Sequence, residues 1–178
     1  MTIEIITGDI TEVASFADAI VNAANESLLG GGGVDGMIHY KAGPELLEEC
    51  RKLNGCKPGE AKVTKAYNLK NKYIIHTVGP RYYEDPNPSE TLANAYLNCL
   101  KLGDELGIES IVFPSLSTGA FAYPIKEAAE ICAKVLYSYK PKSLKHIYMC
   151  IYHNEEDKRV YAEAYTWPQA WSRRMFGK

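Results

Sequence analysis

The sequence predicts an α/β protein, a three-layer α/β/α sandwich with a central mixed sheet of about six strands. Short runs of branched apolar residues alternate along the chain with segments whose apolar residues recur at helical spacing. In addition, two turns built from small residues each connect the end of a strand to the start of a helix. The 178 residues are enough for one domain with a single hydrophobic core.

In the first half of the chain, strands and helices alternate. Runs rich in β-branched and aromatic residues predict strands at residues 2–7, about 18–21, 61–67 and 73–78. Helical spacing predicts helices at residues 34–42 and 44–53, and Pro44 fits the first position of the second one. Asp9, with Glu12 three residues later, has the pattern of a capping box that begins a short helix.

The second half continues the alternation. An amphipathic helix is predicted at residues 89–106, and Gly107 is suited to end it. Further strands are predicted at residues 111–113 and 145–152, and further helices at residues 125–139 and 155–165. We therefore predict a single domain at residues 1–165, followed by an aromatic and basic tail at residues 166–178.

Composition excludes several classes of protein. The net charge of −2 argues against a general nucleic-acid binder, which usually has a basic excess. We expect no signal peptide, and no apolar run approaches the roughly 20 residues that cross a bilayer. The five cysteines are odd in number and form no C-x-x-C pair. We therefore expect a cytoplasmic protein with free thiols that needs no metal or cofactor and no membrane.

The most informative stretch lies between Asn22 and His39 and contains four consecutive glycines at residues 30–33. Glycine loses more backbone entropy on folding than any other residue, so such a run indicates that the backbone itself is needed. Its N–H groups can converge on an anion, aided by the N-terminus of the following helix. Asn25 and Asp35 bring polar side chains to the same loop. The alternative is a flexible connector between a strand and a helix.

Two further polar segments also follow predicted strands, Asp9 and the small-residue turn at residues 115–124. Ligands of open α/β sheets bind beyond the carboxyl ends of the strands, so we expect the three segments to meet at one edge. The chain lacks the G-K-[ST] of a P-loop, and it lacks G-x-S-x-G, which makes Ser117 a poor candidate for a nucleophile. The histidines His39 and His76 are interpreted as structural residues.

Five motifs occur in order along the chain. They are Gly-Asp-Ile-Thr at residues 8–11, Asn-Ala-Ala-Asn at 22–25, the glycine run with Val-Asp-Gly at 29–36, His-Thr-Val-Gly-Pro at 76–80 and Phe-Pro-Ser-Leu-Ser-Thr-Gly at 113–119. Together they resemble the macro domain, most closely its MacroD-type branch, which includes bacterial O-acetyl-ADP-ribose deacetylases. The resemblance covers residues 2–165 and implies a macro-domain fold that binds ADP-ribose.

The resemblance also implies a role for individual residues. Asp9 matches the acid that accepts a hydrogen bond from the adenine amino group, and its neighbour Ile10 is included in the ligand site. The diphosphate and distal ribose are expected to lie along Gly31, Gly32, Gly33 and Val34 on one side and Ser117, Thr118, Gly119, Ala120 and Phe121 on the other. Tyr152 matches an aromatic position beside adenine. Asn25 and Asp35 match the catalytic pair near the distal ribose.

The implied activity is hydrolysis of an ester. The chain is expected to remove mono-ADP-ribose from acidic side chains of proteins, to deacetylate O-acetyl-ADP-ribose, or both. Asp35 would position a water near the distal ribose while Asn25 fixes the sugar. An ordinary Asp, with a pKa near 3.9, is a weak base at neutral pH unless burial raises that pKa. Orientation and electrostatics would then supply most of the rate.

Two other functions are open at this point. The same loops would suffice for a non-catalytic reader of ADP-ribose. A binder of nucleic acid or poly(ADP-ribose) is supported only by the tail, which carries Arg173 and Arg174 beside tryptophans. We expect the partners to be ADP-ribose, its esters and mono-ADP-ribosylated proteins, without nucleic acid, and we expect a monomer.

Overall fold

The computed structural model describes residues 1–152 and 155–164 and contains one central sheet of six strands. The strands are β1 (Thr2–Thr7), β2 (Ala19–Ala23), β3 (Ala61–Lys65), β4 (Tyr73–Thr77), β5 (Ser110–Pro114) and β6 (His146–Ile151). The helices are α1 (Ile10–Val13), α2 (Gly33–Ala42), α3 (Pro44–Lys52), α4 (Pro88–Glu105) and α5 (Ile125–Ser138). Residues 155–164 form a further helix, α6.

The order of the strands across the sheet is β1-β6-β5-β2-β4-β3. All neighbours are parallel except β3, which pairs antiparallel with β4 and closes one edge. β2 and β5 are neighbours at the centre of the sheet. From β2 the chain continues to β3 and β4 on one side of this pair, and from β5 it continues to β6 on the other side. Such a reversal of direction opens a crevice at the carboxyl ends of the two strands.

The alternation of side chains along the strands creates a core on each face of the sheet. On β2, Val21 joins the core on one face and Ile20 joins the core on the other. The first core includes Tyr96 of α4 and Tyr161 of α6, both fully buried, together with residues of α5. The second core includes Ile38 of α2 and residues of α1 and α3. The result is the three-layer sandwich, and the predicted fold class is confirmed.

The predicted strands and helices are present with small shifts at their ends. β2 continues to Ala23, past its predicted end at Val21. β3 ends at Lys65 and not at Tyr67, because Tyr67 has a φ of 50°, a left-handed conformation that a strand does not hold. Gly107 ends α4 as predicted, with a φ of 70° directly after the C-cap residue Leu106.

Further expectations concern the cysteines, membrane-spanning helices and metal ligands. All five cysteines are buried and free. Within residues 1–152 and 155–164, no helix is long and apolar enough to cross a membrane. Among the same residues, no group of three or more potential metal ligands lies together. The predicted tail at residues 166–178 and its boundary at residue 165 lie outside the described part of the chain.

One carboxylate fixes the connection between α5 and β6. Asp104 at the end of α4 accepts hydrogen bonds from the backbone N–H groups of Ser143 at 2.8 Å, Leu144 at 3.0 Å and Lys142 at 3.1 Å. The Tyr139 hydroxyl donates to the same carboxylate. Burial alone would raise the pKa of Asp104, but these donors outweigh it and hold the pKa below its ordinary value.

We expect Asp104→Ala to lower the free energy of unfolding by about 2 kcal/mol at pH 7, the scale of hydrogen bonds to a charged group. A depressed pKa contributes stability above the unfolded pKa, and this stability is lost as pH falls through the folded pKa. The difference between mutant and wild type should therefore shrink below about pH 4. Urea unfolding at pH 7 and below about pH 4 measures this difference. Asp104→Asn, which keeps one acceptor, should lose less of the free energy of unfolding than Asp104→Ala. An equal loss at both pH values would contradict this account.

Candidate functional site

The candidate site is a cavity that opens where β2 and β5 separate. The two strands pair only at Ala19 with Ile111 and Ile20 with Val112, although both continue beyond these pairs. The cavity has a volume of about 560 Å³, within the range of small-molecule sites. Its floor includes residues at the ends of β2, β5 and β6, namely Ala23, Pro114, Cys150 and Ile151.

Most of the predicted site residues line this one cavity. The predicted residues among its lining are Asn25, Gly31, Gly32, Gly33, Val34, Asp35, Ser117, Thr118, Gly119, Ala120, Phe121 and Tyr152. Asp9 and Ile10 are not among the lining residues. The cavity thus brings together both turns of small residues and the end of β6. The roles of the individual residues stay predictions.

The glycine loop, residues 30–33, leads directly into α2. Gly30 and Gly33 have φ values of 94° and 56°, which disfavour any residue with a side chain. Gly32 is the N-cap of α2 and makes no side-chain capping bond, because it has no side chain. The first N–H groups of a helix have no partner within the helix, so the first turn of α2 offers donors at the cavity.

Asn25 holds the glycine loop in place with both ends of its side-chain amide. Its Nδ2 donates to the carbonyl of Gly30 at 3.0 Å. Its Oδ1 accepts from the backbone N–H of Ser27 at 3.0 Å and from the Ser27 hydroxyl at 2.5 Å. A side chain engaged in this way has a structural role in the loop in addition to its predicted contact with the ligand.

Asp35 is buried at the start of α2, with 4% of its surface exposed. Its Oδ1 accepts a hydrogen bond from Asn22 Nδ2 at 2.8 Å and lies 3.4 Å from Nε2 of His39, one helical turn away. Burial raises the pKa of Asp35 above its ordinary value, while the Asn22 hydrogen bond and the charge of His39 oppose that rise. The net direction is upward, which makes Asp35 a better base than an exposed aspartate.

Gly31 lies between the two predicted catalytic side chains. A Cβ on Gly31 would lie 3.1 Å from Oδ2 of Asp35 and 3.3 Å from Nδ2 of Asn25. The two polar groups therefore converge on the glycine backbone that lines the cavity. The arrangement brings a carboxylate oxygen and an amide nitrogen to the same point, where they can hold a water or a sugar hydroxyl.

His76 supports Asn22 from within the sheet. The His76 ring is fully buried on β4, with Nδ1 3.1 Å from Asn22 Nδ2 and Nε2 2.9 Å from the Thr64 hydroxyl. Burial lowers the pKa of His76 to about 3, so the ring is neutral at pH 7. His76 is thus a hydrogen-bonded core histidine, as interpreted from the sequence. Its Nδ1 accepts from Asn22, whose other proton is directed to Asp35.

The second wall of the cavity is the serine loop, residues 115–123. Ser117 has a φ of 65°, and its Oγ is buried without a hydrogen-bond partner among the described residues. The Ser115 hydroxyl lies 2.7 Å from that of Thr118 and also bonds the Tyr161 hydroxyl of α6. The backbone N–H of Leu116 donates to the Tyr96 hydroxyl at 3.1 Å. Buried tyrosines of the core therefore fix this loop.

Asp9 and Tyr152 lie at the other end of the sheet edge. Asp9 is the N-cap of α1, and its Oδ1 accepts from the backbone N–H of Thr11 at 2.9 Å and the Thr11 hydroxyl at 2.6 Å. Glu12 does not complete a capping box, since its carboxylate lies 3.7 Å from Lys41. The cap interpretation of Asp9 is confirmed, and a contact with adenine through its other oxygen stays a prediction. Tyr152 is 67% exposed.

No lysine or arginine is among the described residues that line the cavity. An anionic ligand would therefore be bound by backbone N–H groups of the two loops and by the N-terminus of α2. Asn22, Gly79 and Asp157 received no function from the sequence, although Asn22 holds Asp35 and the other two line the cavity. Asn22 and Gly79 carried a signal, since they belong to the motifs at residues 22–25 and 76–80, whereas Asp157 carried none.

Comparisons with known proteins agree with this geometry. The family model of the macro domain matches residues 21–132. A macro domain-containing protein of Chlorobaculum tepidum is 46% identical over 165 residues, which cover 91% of this chain and 94% of the relative. The ADP-ribose glycohydrolase MACROD2 of Homo sapiens is 48% identical over 159 residues, which cover 86% of this chain and 37% of that protein.

A solved structure is also similar. A mutant macrodomain of Oceanobacillus iheyensis, determined with ADPR, has a TM-score of 0.87 and 39% sequence identity. The alignment covers 94% of this chain and 94% of the other. At this level of identity and coverage, the arrangement of strands, helices and loops is shared between the two.

The packing of the two loops leads to a stability prediction. A Cβ on Gly79 would lie 2.1 Å from Ser117 Oγ, whereas a Cβ on Gly32 would have no heavy atom within 4 Å. We expect Gly79→Ala to lower the free energy of unfolding by about 1–3 kcal/mol, the cost of overpacking. Gly32→Ala should change it by less than about 0.5 kcal/mol. Chemical denaturation measures both.

A second substitution checks the cause of that loss. Adding Ser117→Gly to Gly79→Ala removes the clashing hydroxyl and relieves the left-handed conformation, so most of the lost stability should return. Additive losses in the double mutant would show that Gly79 is destabilised for another reason.

Proposed function

The chain belongs to the macro domain family, and from this premise we propose that it binds ADP-ribose and hydrolyses esters of it. The substrates would be ADP-ribose attached to acidic side chains of proteins, O-acetyl-ADP-ribose, or both. The single observation that carries the proposal is the convergence of Asp35 Oδ2 and Asn25 Nδ2 on Gly31 at the wall of the cavity. A binding module needs no buried carboxylate at that point.

Binding is supported by the fit between the cavity and a nucleotide diphosphate. A diphosphate carries negative charge, and the two loops present backbone donors without a cation that would have to lose its water. The Oceanobacillus iheyensis macrodomain was determined with ADPR, which is ADP-ribose. Adenine would lie toward Tyr152 and Asp9, and the distal ribose toward Asn25, Asp35 and Phe121.

Hydrolysis is supported by the environment of Asp35. Its raised pKa favours uptake of a proton, and the Asn22 hydrogen bond fixes the carboxylate so that Oδ2 remains directed at Gly31. In the protein ester, a water beside Oδ2 would attack the C1″ carbon of the distal ribose, one proton would pass to Asp35, and the side-chain carboxylate would leave as its bond to C1″ breaks. In O-acetyl-ADP-ribose, the water would attack the acyl carbon, and the ribose oxygen would leave, taking the proton from Asp35 and releasing acetate. MACROD2 of Homo sapiens is an ADP-ribose glycohydrolase, which is consistent with a hydrolytic role.

A second candidate function is a non-catalytic reader of ADP-ribose. The observation that favours it is the engagement of Asn25, whose amide is already bonded to Gly30 and Ser27. In a reader, Asn25 would only shape the loop and Asp35 would only anchor the start of α2. We also propose that the protein is a cytoplasmic monomer and that its substrates include ADP-ribosylated proteins. The assays on ADP-ribosylated glutamyl protein test the protein substrates.

We expect Gly32→Glu to abolish measurable binding of ADP-ribose while the protein stays folded. The new side chain has open space around it, so it can enter the cavity and repel the diphosphate. Gly32→Ala is the matched control and should bind within about threefold of wild type, since it adds volume but no charge. Isothermal calorimetry with ADP-ribose, phosphate and ribose measures affinity. Wild-type affinity in Gly32→Glu would show that this backbone does not face the ligand.

Asp35→Ala should lower turnover by roughly 10²–10⁴, the range for a lost acid–base group, and leave the Kd for ADP-ribose within about tenfold. Asp35→Asn keeps an oxygen for the Asn22 bond, so an equal loss there assigns the effect to the carboxylate. Rates are measured at saturation on ADP-ribosylated glutamyl protein and on O-acetyl-ADP-ribose. With wild type, the rate should fall as pH drops through a pKa above 3.8.

The same assays separate enzyme from reader. A wild-type protein that binds ADP-ribose and cleaves neither ester is a reader. Equal turnover by wild type and Asp35→Ala would preserve the activity and reject Asp35 as its base.

A further inference from the structure

Arg81 contacts Phe121 of the serine loop and also Glu26, from a position outside the cavity. Its guanidinium carbon lies 4.4 Å from the centroid of the Phe121 ring, which belongs to the serine loop. The same guanidinium forms an ion pair with Glu26, the residue that follows Asn25 beside the glycine loop. The neighbouring backbone N–H of Tyr82 donates to the carbonyl of Phe121 at 2.9 Å.

We propose that Arg81 is a positioning residue that holds the Phe121 ring at the ribose end of the cavity, with Glu26 orienting the guanidinium. The assignment of Phe121 to the ribose end rests on the proposed function. The contacts of Arg81 themselves do not depend on it. Arg81 is not among the residues that line the cavity, so it would act only through Phe121.

The chemistry of the guanidinium suits this position. It is planar, so one face can stack on an aromatic ring while the edge donates hydrogen bonds to a carboxylate. A single exposed ion pair contributes little, and the side chains of Arg81 and Glu26 are 37% and 40% exposed. The contact of Arg81 with the Phe121 ring and the hydrogen bond from Tyr82 N–H to the Phe121 carbonyl act on the same residue. Together with the Glu26 ion pair, they restrict the position of Phe121.

The segment that carries Arg81 is itself anchored. The carbonyl of Arg81 accepts hydrogen bonds from the backbone N–H groups of Asp85 at 2.9 Å and Glu84 at 3.1 Å. The ring of Tyr82 packs edge-on against Tyr123, with centroids 4.9 Å apart. A fixed backbone limits the positions that the guanidinium can reach, which favours its contacts with Phe121 and Glu26.

The position of Phe121 makes the expected effect selective for one part of the ligand. The ring would contact the distal ribose, which ADP-ribose has and ADP lacks. Loss of Arg81 should therefore weaken binding of ADP-ribose and leave binding of ADP unchanged. A substitution that only loosened the fold would weaken both ligands.

The first experiment needs no ligand. The chain has four phenylalanines, Phe16, Phe113, Phe121 and Phe176, so fluorophenylalanine labelling gives four ¹⁹F resonances. The Phe121 resonance is assigned by its disappearance in Phe121→Leu. Arg81→Ala should shift it, because the guanidinium charge over the ring is removed. Arg51→Ala is the matched control, since it breaks an exposed ion pair with Glu48 and should leave the resonance in place. An unchanged Phe121 resonance in Arg81→Ala would overturn the proposal.

The second experiment measures affinity for ADP-ribose and for ADP by calorimetry. Arg81→Ala should weaken ADP-ribose binding about three- to tenfold, the scale of a cation–π contact, and leave ADP within about twofold. In the Phe121→Leu background, Arg81→Ala should have no further effect on ADP-ribose. Equal weakening of both ligands, or an undiminished effect in that background, would overturn the proposal. If wild type binds neither ligand, the proposed function fails, while the ¹⁹F result still decides whether Arg81 holds the ring.

Discussion

The hydrogen bond from Asn22 to Asp35 is the interaction on which the site depends. It joins the central strand β2 to the start of α2, and the glycine loop spans the short distance between them. A buried carboxylate is costly unless it is paired or hydrogen-bonded, so the position of Asp35 requires this donor. His76 in turn accepts from Asn22, which leaves the amide only one orientation that satisfies both neighbours. The fold thus fixes the carboxylate through a fully buried pair of side chains.

Three buried polar atoms at the site have no hydrogen-bond partner among the described residues. They are Oδ1 of Asn22, Nε2 of His39 and Oγ of Ser117. Most buried polar groups in proteins have a partner, and Nε2 of His39 lies 3.4 Å from Oδ1 of Asp35. Of these three residues, Ser117 lines the cavity, while Asn22 and His39 lie beside Asp35. The cores on both faces of the sheet are by contrast almost entirely apolar.

The two loops differ in how they are held, and this difference bears on function. The serine loop is held by hydrogen bonds to the hydroxyls of Tyr96 and Tyr161, two residues that are fully buried in the core. The glycine loop is fixed by Asn25 and by the start of α2, with three of its four glycines exposed. Arg81 links Phe121 of the serine loop to Glu26 near the surface. A ligand that binds between the loops therefore meets one rigid wall and one wall that depends on a few polar contacts.

The sequence by itself determined the fold class, the order of strands and helices, and the two turns at the site. Periodic apolar patterns and glycine runs are local signals, so they can be read without tertiary structure. The motifs from Gly8 to Gly119 also implied the macro domain, and the family comparison confirmed it.

Only the tertiary structure decided which side chains surround Asp35 and which residue contacts Phe121. Asn22, Asp35 and His76 come from two strands and a helix, and nothing in their spacing shows that Asn22 bonds the other two. Arg81 and Phe121 are 40 positions apart in the printed sequence and meet only because β4 and β5 flank β2. Burial raised the pKa of Asp35, and burial is a property of the folded core, not of the residue.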